Sequence, residues 1–126
     1  MIEYLISFLE NNYQIAVLSR GYKRKTSGFI EVLTTSKVEE VGDEPLQFKK
    51  KFSKVVVAVC ANRQEGIDRI KINADIILLD DAFQHRKVNA SKKMLLTSYN
   101  NLYINDCVLP VGNLRELKSG AKRADI

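Results

Sequence analysis

Very little in this chain of 126 residues points to metal clusters, disulfides or membrane spans. It has two cysteines, Cys60 and Cys107, and one histidine, His85. The cysteines lack metal-ligand spacing, and Cys60 sits inside an apolar run, so two reduced thiols in a cytosolic setting are expected. No window approaches 18 consecutive apolar residues, which excludes a helical membrane span. The opening Met1-Ile-Glu-Tyr has neither a basic segment nor a cleavage site, so no secretory leader is expected. There is no internal repeat and no low-complexity linker. Acidic charge is the minority: 15 Asp and Glu stand against 20 Lys and Arg, a net charge of +5. That excess admits phosphate, nucleic acid or an acidic membrane face without choosing among them.

The composition is otherwise ordinary: 45% hydrophobic and 28% charged residues, enough apolar side chain for a core. The length allows one domain at most. The hydrophobic pattern alternates between helical and strand-like segments. Ile2, Leu5, Ile6 and Leu9 recur at helical spacing, with Asn11 and Asn12 as a stop. Ile15 to Leu18, Val55 to Val59 and Ile76 to Leu79 are short, fully apolar runs, the signature of strands buried on both faces of a parallel sheet. A shorter extended piece is expected at residues 29–33. Helices are expected from Asp43, acting as cap ahead of Pro45, through Lys51, and over residues 62–73, where Gly66 weakens the pattern. Residues 93–97 and 102–104 read as further strands, 109–116 as a loop running into a short helix, and 124–126 as the entry to another strand. The sum predicts an α/β fold, a mostly parallel sheet with helices on both faces.

The strand at Ile76 stops on two carboxylates, Asp80 and Asp81, followed by Gln84 and His85. In open α/β sheets ligands bind at the carboxyl ends of the strands. Asp80 and Asp81 read either as a solvated turn or as Mg²⁺ ligands, since Mg²⁺ prefers hard oxygen donors. Asp43 and Glu44 read either as acids favoured at a helix N-terminus or, for Asp43, as a base that accepts a hydroxyl proton. The basic loop from Arg20 to Lys25 reads as a phosphate site or as solvated surface. Tyr99 and Tyr103 lack the interleaved basic pattern of a nucleic-acid platform, so no nucleic acid is expected.

Four motifs occur in order: Ser19-Arg-Gly-Tyr22, Gly42-Asp-Glu-Pro45, Asp80-Asp-Ala-Phe-Gln-His-Arg86 and Leu109-Pro-Val-Gly-Asn-Leu-Arg-Glu116. As an ordered set spread over nearly the whole chain, they resemble the tetraacyldisaccharide 4'-kinase family, the lipid A 4'-kinases of Gram-negative bacteria. The resemblance implies a P-loop-type fold. It also implies transfer of the ATP γ-phosphoryl group, with Mg²⁺, to the 4'-hydroxyl of the lipid A disaccharide precursor. The setting it implies is peripheral, on the cytoplasmic face of the inner membrane. By motif, Asp43 matches the catalytic base and Glu44 its acidic neighbour. Asp80 and Asp81 match the pair that handles the metal, Gln84 and His85 the polar tail of that motif, and Arg20 an arginine placed to meet a lipid or nucleotide phosphate.

The chain departs from the family pattern in several respects that bear on activity, among them Ala82 where many members have Gly, Asn62 where an acid often precedes the arginine, and Ser98 where an Asp often follows the threonine. It contains no GxxxxGK[ST] phosphate loop. The expectation is therefore a partial P-loop kinase-like α/β domain over residues 1–126, an internal fragment without the phosphate loop and the C-terminal lobe, whose sheet exposes an apolar edge. Two alternatives stand beside an inactive fragment: a non-catalytic module that binds anionic lipid or phosphate through Arg20, Lys23, Arg24 and Lys25, and a half-enzyme complemented in trans. Incubated alone with ATP, Mg²⁺ and a tetraacyldisaccharide 1-phosphate acceptor, the 126-residue chain is expected to transfer no phosphate above a no-enzyme blank. Turnover well above the blank would contradict this.

Overall fold

A computed structural model describes all 126 residues, which fall into two compact units, Met1–Val88 and Asn89–Ile126, where the sequence reading has one partial domain. The first unit carries the regular structure: α1 (Ile2–Leu9), β1 (Ile15–Ser19), β2 (Ile30–Glu31), α2 (Val38–Val41), α3 (Asp43–Lys51), β3 (Val56–Val59), α4 (Arg63–Ile70) with a 3₁₀ turn at Lys71–Asn73, and β4 (Ile76–Leu79). The sheet order is β2-β3-β1-β4. β1 runs parallel to both β3 and β4, and only the two-residue β2 is antiparallel, to β3.

β1 is the centre of this unit, and all five of its residues are buried. Successive side chains of a strand point to opposite faces, and the core divides along that alternation. Ile15 and Val17 join Val57 and Val59 of β3, Ile6 of α1 and Leu46 and Phe48 of α3 on one face. Ala16 and Leu18 join Ala58, Cys60 and Ile70 on the other, with Ile67 of α4 packed against them. Helices therefore cover both faces, as expected. Burying each Val, Leu or Ile in these clusters contributes about 1.5–3 kcal/mol.

Gly66 is where α4 meets the sheet. A Cβ there would lie 2.7 Å from Leu18 Cδ2 and 3.1 Å from the Cys60 Cβ. The glycine that weakened the helix pattern is what lets the helix approach β1 closely.

Several expectations are corrected. β4 is an edge strand, and each of its four residues is half-buried rather than buried on both faces, because β1 flanks it on one side only. Asp43 is the first residue of α3 and not its cap. Gly42 caps the helix at φ +90°, a left-handed backbone that its missing side chain permits, and its N–H closes α2 onto Val38. The α2 turn itself has no counterpart in the sequence reading.

In the second unit, residues 93–97 and 102–104 do not form strands. Tyr103–Asn105 is a 3₁₀ turn. The backbone at Lys93 and Leu95 bonds instead to the extended end: Asp125 N–H donates to Lys93 O at 2.8 Å and Leu95 N–H to Ile126 O at 2.9 Å. The 109–116 segment remains a loop, closed by a bridge between Val108 and Leu114 and by the Asp106 carboxylate, which accepts from the N–H groups of Cys107 and Asn113. The following turn, Lys118–Arg123, is 3₁₀. Most side chains in this unit are exposed or half-exposed, so strand propensity had no packed face to reward it.

Replacing Gly66 with valine is expected to cost about 1–3 kcal/mol, because the overpacked methyls must displace Leu18. Thermal denaturation followed by circular dichroism checks this; an unchanged midpoint would refute the close helix–sheet contact.

Candidate functional site

Because β1, β3 and β4 are parallel, their carboxyl ends share one rim of the sheet. Ser19 ends β1, Cys60 follows β3 and Asp80 follows β4. The rim is laced by backbone bonds: Cys60 N–H donates to Ser19 O and Asp80 N–H to Leu18 O, each at 3.0 Å.

Arg63, which the sequence reading left without a role, is pinned across this rim. It is the first residue of α4 and only 2% exposed. Its Nη2 donates to Asp80 O at 2.7 Å and its Nη1 to Cys60 O at 3.4 Å. Burial lowers its guanidinium pKa, the charges of Asp80 and Asp81 oppose that, and Arg20 adds to it, so all three charged groups lie within electrostatic reach of Arg63. A buried arginine needs such partners. One signal could have found it: an arginine directly after a helix-capping asparagine, four residues beyond the end of an apolar strand. The Asn62 side chain does accept from Glu65 N–H.

The Gly42-Asp-Glu-Pro45 motif reaches the same place by a backbone contact. A Cβ on Gly42 would stand 3.3 Å from Tyr22 O and 3.5 Å from the Gly21 backbone, so the two motif loops touch main chain to main chain. Asp43 and Glu44 then open α3 with exposed side chains. Partial burial pushes the Glu44 carboxyl pKa upward, and the charges of Asp80, Asp43 and Asp81, in that order, push it further. Acids 36 or more positions apart in sequence thus lie within electrostatic reach of Glu44.

Asp81 sits in a left-handed backbone conformation at φ +43°, uncommon for a residue with a side chain and a form of strain that concentrates at functional sites. Gln84 is exposed beyond it. His85 lies in the following turn, its N–H donating to Ala82 O, and its Nδ1 is buried with no hydrogen-bond partner in the chain. Arg20 is exposed at the end of β1. The rest of the basic loop is committed internally. Arg24 Nη2 donates to Gly28 O at 2.7 Å, Lys25 pairs with Glu39 at 3.1 Å, and Lys23 lies over the Tyr22 ring. These commitments weaken the reading of Arg20, Lys23, Arg24 and Lys25 as one anion-binding patch.

No three Asp, Glu, His or Cys side chains converge on one metal-sized point. The acids present nevertheless fit Mg²⁺, which takes one or two carboxylates and completes its octahedron with water and phosphate oxygens. Asp80 and Asp81 offer that pair.

The raised Glu44 pKa has a consequence for stability. Its folded-state pKa lies above the ordinary 4.5, so the native state holds the proton more tightly than the unfolded chain. Stability from this group is present below 4.5 and is lost as pH rises through the folded value. Glu44→Gln is therefore expected to raise the melting temperature at pH 7, and the advantage should shrink to nothing below about pH 4.5. Melting curves across that range test it; a lower midpoint at pH 7 would contradict the crowding of acids.

The family described as Tetraacyldisaccharide-1-P 4'-kinase matches residues 1–126. The tetraacyldisaccharide 4'-kinase of Flavobacterium psychrophilum is 62% identical over 128 residues, covering 99% of this chain and 37% of that protein. The kinase of the same name from Parabacteroides distasonis is 48% identical, over 98% and 35%. Among solved structures, the chain is similar to LpxK from Aquifex aeolicus in complex with ATP, at a TM-score of 0.85 and 35% identity, covering 98% of this chain and 40% of that one. The chain thus spans little more than a third of the curated relatives it matches, and no helix in it is long and apolar enough to cross a membrane. With the whole of its length matched, the chain belongs to the tetraacyldisaccharide 4'-kinase family.

Proposed function

We propose that this chain supplies the metal-handling and hydroxyl-activating rim of an ATP-dependent kinase that phosphorylates the 4'-hydroxyl of the lipid A disaccharide precursor. The setting is the cytoplasmic face of the inner membrane, with peripheral attachment. The observation that carries this reading is that Asp80 and Asp81 follow β4 at the carboxyl rim of the parallel sheet, while Gly42, just before Asp43 and Glu44, lies against the loop that follows β1. Phosphoryl transfer asks for little covalent chemistry from a protein; it asks for an oriented hydroxyl and neutralised phosphate charge.

Each group then has a task. Asp43, exposed at the start of α3, accepts the proton of the sugar hydroxyl as that oxygen bonds to the γ-phosphorus and the bond to the β-phosphate oxygen breaks, releasing ADP. Asp80 and Asp81 would hold Mg²⁺. When bound, Mg²⁺ neutralises charge on the β- and γ-phosphate oxygens. Glu44 adds negative charge beside the metal pair and so favours a cation there. Arg20 offers its donor fork to a phosphate of lipid or nucleotide. Gln84 and His85 stand at the polar tail beyond the metal pair. The 126 residues contain no phosphate loop, so the cradle for the β- and γ-phosphates is assigned to polypeptide outside them, in the same protein or supplied in trans.

The test restores that context. The chain replaces the matching stretch of the Flavobacterium psychrophilum kinase, and the chimera is assayed with ATP, Mg²⁺ and the tetraacyldisaccharide 1-phosphate acceptor. ATP-dependent transfer is expected, with Asp43→Asn lowering kcat by about 10²–10⁴-fold. A chimera whose rate ignores Asp43→Asn and Asp80→Asn would refute the assignment.

A further inference from the structure

Ser19 interrupts a pattern. The four residues before it in β1 are aliphatic, yet at the strand's last position a hydroxyl is buried to 5% exposure. Burying a hydroxyl without a partner costs about 1–3 kcal/mol on mutational scales, so where its proton goes matters. Ser19 Oγ donates to Asp80 Oδ2 at 3.2 Å, across 61 residues of sequence, and accepts a longer bond, 3.4 Å, from Gly21 N–H.

The effect is clearest on Asp80. Its N–H donates to Leu18 O at 3.0 Å, its carbonyl accepts from buried Arg63 at 2.7 Å, and one carboxylate oxygen accepts from Ser19. Backbone and side chain are thus fixed from β1 on one side and α4 on the other. Asp81 next to it stands exposed on a left-handed turn.

We propose that Ser19 is a positioning residue for the metal. Its hydroxyl occupies Asp80 Oδ2 and fixes the carboxylate rotamer, so that Oδ1 is presented to the cation and Asp80 is a preorganised ligand. Groups that orient a metal ligand typically change metal affinity 10–100-fold when removed. The aliphatic residue that would continue the β1 run offers no donor, which accounts for serine at this point in an otherwise apolar strand. The inference rests on the metal role assigned to Asp80 above, and its test separates the two.

The probe is Mn²⁺ alone, added to the full 126-residue chain. Paramagnetic broadening of backbone amide signals is followed in the unaltered chain and in Ser19→Ala, Ser19→Thr and Asp80→Asn. Selective broadening of the amides at residues 80–82 is expected in the unaltered chain and should be lost in Asp80→Asn. Ser19→Ala should need about tenfold more Mn²⁺ for the same broadening, with amide positions away from the rim unchanged. Ser19→Thr, which keeps the hydroxyl, should return to the original concentration range. If alanine unsettles the fold, Ser19→Cys fills the volume with a weaker donor and should show the same weakening. Broadening at the same Mn²⁺ concentration in Ser19→Ala as in the unaltered chain would overturn the role of Ser19 and leave that of Asp80 standing. No selective broadening in the unaltered chain would overturn the metal role of Asp80, and the inference with it.

Discussion

Parallel pairing of β1 with β3 and β4 is the constraint on which the rest of the first unit depends. Parallel strands point their carboxyl ends the same way and require crossovers, here through helices. Whatever follows each strand is delivered to the same rim. Asp80 and Asp81 follow β4, Arg20 follows β1, and Arg63 opens the helix after β3. Antiparallel pairing of the same strands would scatter these groups to opposite ends of the sheet. The fully buried β1, with core on both faces, holds that pairing in place.

Charge balance at the rim follows from this crowding. Burial and, after it, the charges of Asp80, Asp43 and Asp81 raise the Glu44 pKa, so acidic repulsion is felt there. Arg63 offsets part of it from inside the sheet edge and ties the carbonyls of Asp80 and Cys60 together. The acidic excess facing outward suits a site that gains a divalent cation and then a polyphosphate, since each charge neutralises the one before it. A chain with net charge +5 thus carries several acids at the proposed site, which the net figure alone would not suggest.

The Gly42 contact decides the position of the proposed base. Asp43 follows a glycine whose backbone lies against Gly21 and Tyr22. A side chain at Gly42 would face both a left-handed backbone and this close approach. Two motifs that look independent in sequence, Ser19-Arg-Gly-Tyr22 and Gly42-Asp-Glu-Pro45, are the two sides of one contact. The charge of the basic loop is largely engaged nearby, on Gly28, on Glu39 of α2 and on the Tyr22 ring, leaving Arg20 as the basic residue of that motif on the rim.

The sequence by itself determined the core strands and the helix faces, because hydrophobic runs and helical periodicity record burial directly. Ile15 to Leu18, Val55 to Val59 and the α1 and α4 patterns fall where the elements form. It also placed the acids at element ends, since Asp80 and Asp43 sit at breaks in apolar runs. What it could not carry was position across the sheet. An apolar run reads the same at an edge as in the centre, so β4 was legible as a strand and not as an edge. Nor could it reveal that Arg63 and Ser19 serve Asp80, because those bonds span 17 and 61 residues and exist only once β1, α4 and β4 are assembled. In the second unit, strand-like segments became turns because few side chains there are fully covered. Local pattern fixes which residues seek burial; tertiary pairing alone decides which polar groups meet, because a hydrogen bond needs both partners within about 3 Å.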